Sequence, residues 1–186
     1  MKIISLKKYM AAGSLLILMT PSLSYAADGV VNFSGSISDV TCDINGKGPG
    51  EGNVTNVELG KFAPSRFVSI GTPSDFVPFK LQLSGASCKN DSKVSIAFDQ
   101  VGNVDSSTGN LKLTGTSSAT GIQIQVFNDT EGGTKIPLGQ AETAPQVATI
   151  EDNKATLAYK ASYISTATNV TPGSAISFVR YTLSYQ

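Results

Sequence analysis

The sequence predicts an all-β protein, a sandwich or a barrel, on three observations. Apolar and polar residues alternate with a period of two in short runs along the chain, the pattern of half-buried strands. Turn-forming Gly, Asn, Asp and Ser residues separate those runs at fairly even spacing. No stretch carries a helical stripe for more than a turn or so.

The first 26 residues read as a secretory signal. Lys2, Lys7 and Lys8 make the positive start, Met10 to Met19 the apolar run, and Ser24-Tyr25-Ala26 a small-residue cleavage site. A membrane anchor is the alternative, but the run is about half the ~20 residues that span a bilayer. Cleavage after Ala26 leaves a chain suited to one domain with a real core. The removed part takes three of the 14 Lys and Arg and none of the 14 Asp and Glu. The remainder has 11 basic and 14 acidic side chains, a net charge of −3. A mildly acidic surface with no basic run argues against nucleic acid and anionic membranes as partners.

Residues 27–38 form a strand-like arm. Gly29, Val31, Phe33, Gly35 and Ile37 share one parity, and the mostly polar Val30, Asn32, Ser34, Ser36 and Ser38 share the other. The parity then flips, because Val40, Cys42 and Ile44 are even-numbered. A one-residue slip turns every side chain to the opposite face. The flip marks either a bulge inside one long strand or a hinge between a separate arm and a domain at 39–186. The hinge is the sharper reading.

Inside the domain, Val57 and Leu59 alternate before Gly60. Val77, Phe79, Leu81 and Leu83 make a strand, as do Val94, Ile96 and Phe98. Leu111 and Leu113 suggest a short one. Ile122, Ile124 and Val126 make another, ended by Asn128-Asp129 and Gly132-Gly133, with Ile136 and Leu138 after that hairpin-like turn. Leu157, Tyr159, Ala161 and Tyr163 alternate again. Pro172-Gly173 turns the chain into a last strand, 175–186. There Ala175, Val179, Tyr181, Leu183 and Tyr185 share one parity, with Ser177 its polar exception; Arg180, Thr182, Ser184 and Gln186 share the other.

Cys42 and Cys88 are the two cysteines. In an exported chain a disulfide is the natural reading, with two free buried thiols as the alternative. The bridge would close a loop of about 46 residues, worth roughly 4 kcal/mol in the chain-entropy model.

A strand edge at 175–186 with no partner after it is a hazard, and the arm at 27–38 is a spare strand. One arrangement answers both. The arm of one molecule fills the gap in the next, as strand addition between molecules. Such a heterologous contact does not close, so it builds a filament.

These segments resemble the type 1-like pilins of bacterial chaperone–usher fimbriae. The resemblance rests on "GVVNFSGSISDVTC" at 29–42, "VELGKF" at 57–62, "FVPFKLQLSGASC" at 76–88, "GIQIQVFN" at 121–128 and "VTPGSAISFVRYTLSYQ" at 170–186. It implies an incomplete immunoglobulin-like β-sandwich that lacks its last strand and is completed by a donor strand from a neighbouring subunit. It implies as partners other fimbrial subunits, a periplasmic chaperone, an outer-membrane usher and, through the assembled fimbria, a host receptor. Export would run through the periplasm to a fimbrium on the cell surface. Carried over by residue, Gly29, Val31, Phe33 and Gly35 match the donor strand. Gly173, Val179, Tyr181, Leu183 and Tyr185 match the acceptor groove and chaperone-binding strand, and Cys42 and Cys88 the family's disulfide. Only Ala27 and Asp28 precede Gly29, so the arm is short.

Other functions fit less well. The chain has no histidine, which removes His-based acid–base pairs, Ser-His and Cys-His nucleophiles and His metal ligands. Asp99 and Asp105 lack the spacing of a calcium loop, and no Gly-rich stretch ends as a phosphate loop does. The sequence therefore predicts no enzyme, no cofactor and no metal. A minor adaptor or a tip-associated adhesive subunit is the alternative to a shaft subunit. Phe62, Phe67 and Tyr163 could bind a glycan, but core or sheet surface suits each better. Adhesins of the resembled family add a receptor-binding domain, for which this chain has no room, and lack a donor arm.

Overall fold

The computed structural model describes residues 41–186 apart from 51, 100, 101, 131 and 132. The signal at 1–26, the arm at 27–38 and its Gly29, Val31, Phe33 and Gly35 lie outside the described residues.

Nine strands form two antiparallel sheets: β1 (Asp43–Ile44), β2 (Val77–Ser84), β3 (Lys93–Phe98), β4 (Val104–Asp105), β5 (Asn110–Leu111), β6 (Ile122–Asn128), β7 (Val147–Thr149), β8 (Lys154–Ser165) and β9 (Tyr181–Tyr185). The larger sheet has the order β1-β2-β8-β6-β5-β4 and the smaller β7-β3-β9. Long β8 organises the larger sheet. Its first part pairs with β2, Leu157 opposite Leu81, and its second with β6, Tyr163 opposite Ile124. The inward parity of these strands meets that of β3, and Leu81, Leu157, Tyr159, Val94 and Ile96 are buried between the sheets. Phe79 and Phe98 both pack against the Tyr159 ring, one from each sheet. Burial of this kind gives about 1.5–3 kcal/mol per large apolar side chain.

Two tight turns close short hairpins. Asn45-Gly46 and Asp152-Asn153 have positive φ at both central residues, the geometry that matches the twist of paired strands. They join Ile44 to Lys47 and Glu151 to Lys154. The Cys42–Cys88 disulfide lies beside the β1–β2 pair. Cys42 and Ile44 are buried while Thr41 and Asp43 are exposed, the parity read from the sequence.

Three expected strands take a different form. Residues 54–60, with Leu59 buried and Val57 half-buried, have no regular secondary structure and belong to neither sheet. Ile136 and Leu138 are buried, yet their segment makes only one bridge, Phe127 to Lys135. Pro137 lies between them and has no N–H to give a ladder. The last strand pairs with β3 only over 180–186, because loop 112–119 holds the main chain of Ser174 and Ile176 instead. Thr114 N–H donates to Ile176 O at 2.8 Å, and the N–H groups of Ser118 and Ala119 both donate to Ser174 O at 3.0 Å. Among the described residues the only helical turn is a 3-10 turn at Pro64–Arg66, and no helix is long and apolar enough to cross a membrane.

Candidate functional site

The site is a groove between two edges. One edge is the C-terminal segment 175–185. Lys93 and Gln186 exchange both main-chain hydrogen bonds, at 2.8 Å each. In an antiparallel pair such residues alternate with non-bonded ones. The N–H and C=O groups of Tyr181, Leu183 and Tyr185, opposite Phe98, Ile96 and Val94, therefore point away from β3. No described strand meets them there. The other edge is segment 54–60, which no described strand pairs either.

Between the edges lies a cavity of about 1070 Å³. Val57 and Leu59 line it from one edge, Val179, Tyr181, Leu183 and Tyr185 from the other. Its floor is the inner face of the large sheet, including Phe79, Leu81, Leu111, Ile124, Val126 and Ala161. The odd residues of 175–185 are only half-buried, whereas Val94 and Ile96 on the neighbouring strand are buried. An apolar strip with main-chain donors and acceptors on both rims is shaped for an extended strand with alternating side chains.

The two ends of the groove differ. At one end the Tyr185 hydroxyl accepts the Cys42 amide proton at 3.1 Å. Thr41 N–H, next to it, donates to Ser87 O. Thr41 and Cys42 are therefore held at this end, by Ser87, by the Cys42–Cys88 disulfide and by Tyr185. At the other end the Tyr163 hydroxyl donates to Ala175 O at 3.2 Å, and the Phe62 ring meets Tyr163 edge-on. Burial, helped by the charge of Glu58, raises the Tyr163 pKa, and burial raises that of Tyr181. Both phenols stay neutral donors at ordinary pH. Segment 54–62 begins near the Cys42 end and finishes at Phe62, so it runs opposite to 175–185.

The structure brings Val179, Tyr181, Leu183 and Tyr185 together on one wall. Gly173 is not among the residues lining the cavity. It sits beyond the Ala175 end, pressed on residues 118–119. A Cβ there would lie 2.5 Å from the Ser118 carbonyl carbon and closer still to the Ala119 nitrogen. Phe67 is a core residue, and Tyr163 belongs to the groove. The sequence reading missed the large-sheet floor and the pairing of 54–60 with 175–185 as two rims. Its signal was present in the unpartnered Val57–Leu59 alternation.

The fimbrial protein family model matches residues 31–186. The chain belongs to that family. It is 34% identical to the F17 fimbrial protein of Escherichia coli over 92% of this chain and 95% of that one. It is 31% identical to the major fimbrial subunit SMF-1 of Stenotrophomonas maltophilia over 91% of this chain and 99% of that one. Among solved structures it is similar to the P pilus rod subunit PapA, with a TM-score of 0.55 and 21% identity over 78% of this chain and 99% of that one. A tip adhesin of Pseudomonas aeruginosa, CupB6, matches with a TM-score of 0.52 and 21% identity, over 68% of this chain but only 35% of that one. The fold is thus the immunoglobulin-like sandwich of chaperone–usher pilins. The chain is a fimbrial subunit that associates with other fimbrial subunits in a surface fimbrium. The family is one of structural pilins, not of enzymes.

Proposed function

We propose that the chain is a non-enzymatic shaft subunit that polymerises head to tail, residues 27–38 of one copy filling the groove of the next. The observation that carries this reading is the pair of segments, 54–60 and 175–185, that face each other across an apolar cavity of about 1070 Å³ with no described strand between them. In the arm, Val31 and Phe33 supply apolar side chains of one parity for its pockets, and Gly29 and Gly35 supply clearance. Residues 1–26 direct export, and the disulfide forms in the oxidising periplasm. An open groove is prone to aggregation. A periplasmic chaperone would cover it until an outer-membrane usher hands the subunit to the growing fimbria. Any host receptor would be met by the assembled fimbria. The major-subunit relative favours a shaft role.

The test is a mature chain carrying residues 27–38 after Gln186 on a flexible linker long enough for an antiparallel return. It should be a soluble monomer that melts well above the chain without the addition. Equal melting temperatures would show that the domain already holds all its strands. Electron microscopy of cells lacking the gene separates the roles: lost shafts mark a shaft subunit, and kept shafts a minor one.

A further inference from the structure

Along 175–186 the odd residues face the groove and the even residues face outward. Four outward residues are polar: Arg180, Thr182, Ser184 and Gln186. The first two are not. Ile176 and Phe178 are each 52% exposed. Their main chain is held firmly. Ile176 O accepts from Thr114 N–H at 2.8 Å, and Ile176 N–H donates to Ser117 Oγ at 2.9 Å. Phe178 O accepts from Asn103 Nδ2 at 2.6 Å. This is a preformed apolar patch at the Ala175 end of the groove, and both residues also contribute to its rim.

We propose that Ile176 and Phe178 dock the body of the adjoining copy, beside the point where its arm leaves the groove. The proposal rests on the strand-exchange reading above. Every ladder among the described residues is antiparallel, the stronger pairing. An arm antiparallel to β9 has its last residues beside Ala175 and its body just beyond. A parallel arm would bring that body to the Tyr185 end, where the acceptor's own chain passes through Thr41 and Cys42. The incoming body therefore has one place to lie. The surface it presents there is the segment from Thr41 through the Asn45-Gly46 turn to Gly50. A second copy thus covers the two apolar side chains that break the polar pattern.

The test compares wild type with an Ile176→Ser, Phe178→Ser double variant, each purified with its chaperone. A labelled peptide of residues 27–38, which has an arm but no body, is offered to each. Fimbriae assembled from each are followed in urea. The expected result is an unequal loss: fimbriae come apart about tenfold faster or more, whereas the peptide complex, which touches the two residues only at the rim, weakens by no more than about threefold. Unchanged peptide uptake with unchanged fimbriae overturns the patch. An equal loss in the peptide complex and in the fimbria also overturns it, since the two residues would then act through the groove alone. Failure of both proteins to take the peptide overturns the strand-exchange reading itself.

Discussion

Gly173 shows how one position can be fixed by what is missing from it. Its backbone passes so close to Ser118 and Ala119 that any side chain would overlap main-chain atoms, which cannot swing aside. Ser174 next to it is held by Ser118 and Thr116. Gly173→Ala should therefore destabilise the subunit by about 1–3 kcal/mol or more, read as a lower urea midpoint. An unchanged midpoint would mean that loop 112–119 does not hold the C-terminal segment in place. Asp105 makes a different kind of residue-level statement. It accepts hydrogen bonds from Ser107 Oγ and N–H and from Gln123 Nε2. The Ser107 hydroxyl first, then Gln123, lowers its pKa from 3.8 to about 2. A depressed carboxyl pKa stabilises the fold fully above the unfolded value and loses that contribution as pH falls towards the folded one. Loop 104–110 should therefore loosen only between about pH 4 and pH 2. NMR titration of the Asp105 carboxyl should give a midpoint well below 3.8; a midpoint at the ordinary value would contradict the hydrogen-bond set.

At the level of elements, β9 has two unlike sides. The N–H groups of Thr182 and Ser184 point to β3, and those of Leu183 and Tyr185 point to the open edge. Hydrogen exchange should show the difference. In the free subunit Leu183 and Tyr185 should exchange much faster than Thr182 and Ser184, and in the fimbria all four should be slow. Equal protection in the free subunit would mean that the edge is already covered. Most elements were legible because each long strand carries a period of two, and β2, β3, β6 and β8 fall where their alternation places them. β4 and β7, at two and three residues, are too short to show a period. The Asn45-Gly46 turn was readable as a hairpin signal, although the parity flip before it drew the eye to Cys42 instead. The wall at 179–185 was visible as a stripe. The floor was not, because residues such as Phe79 and Ile124 look like ordinary core until the fold leaves the space above them open. The packing of Gly173 on residues 118–119 was not legible either, since a glycine's contacts belong to its neighbours and leave no trace in its own pattern.

For the whole molecule, the fold and the assembly are one problem. In the proposed assembly another chain finishes the core, so the subunit cannot be optimised alone. Phe33→Asn in the arm should leave export, the disulfide and the groove intact, yet stop that subunit from entering a neighbour. Burial worth roughly 1.5–3 kcal/mol is lost and a polar group takes its place. Ser34→Asn, on the outward parity, should assemble nearly as wild type. Fimbriae counted by electron microscopy decide it. If Ser34→Asn blocks assembly and Phe33→Asn does not, the register is off by one residue. The unlike ends of the groove carry a last consequence. The Tyr185 end holds Thr41 and Cys42, and in the proposed assembly the Ala175 end is where another body lies. A fimbria built this way has a front and a back that cannot be exchanged, and copies handed over by an outer-membrane usher join it at the cell end in strict succession. Position along the shaft then becomes a calendar: a tagged batch of subunits made during a short pulse should appear as a single band, whose distance from the cell tells how long ago it was made.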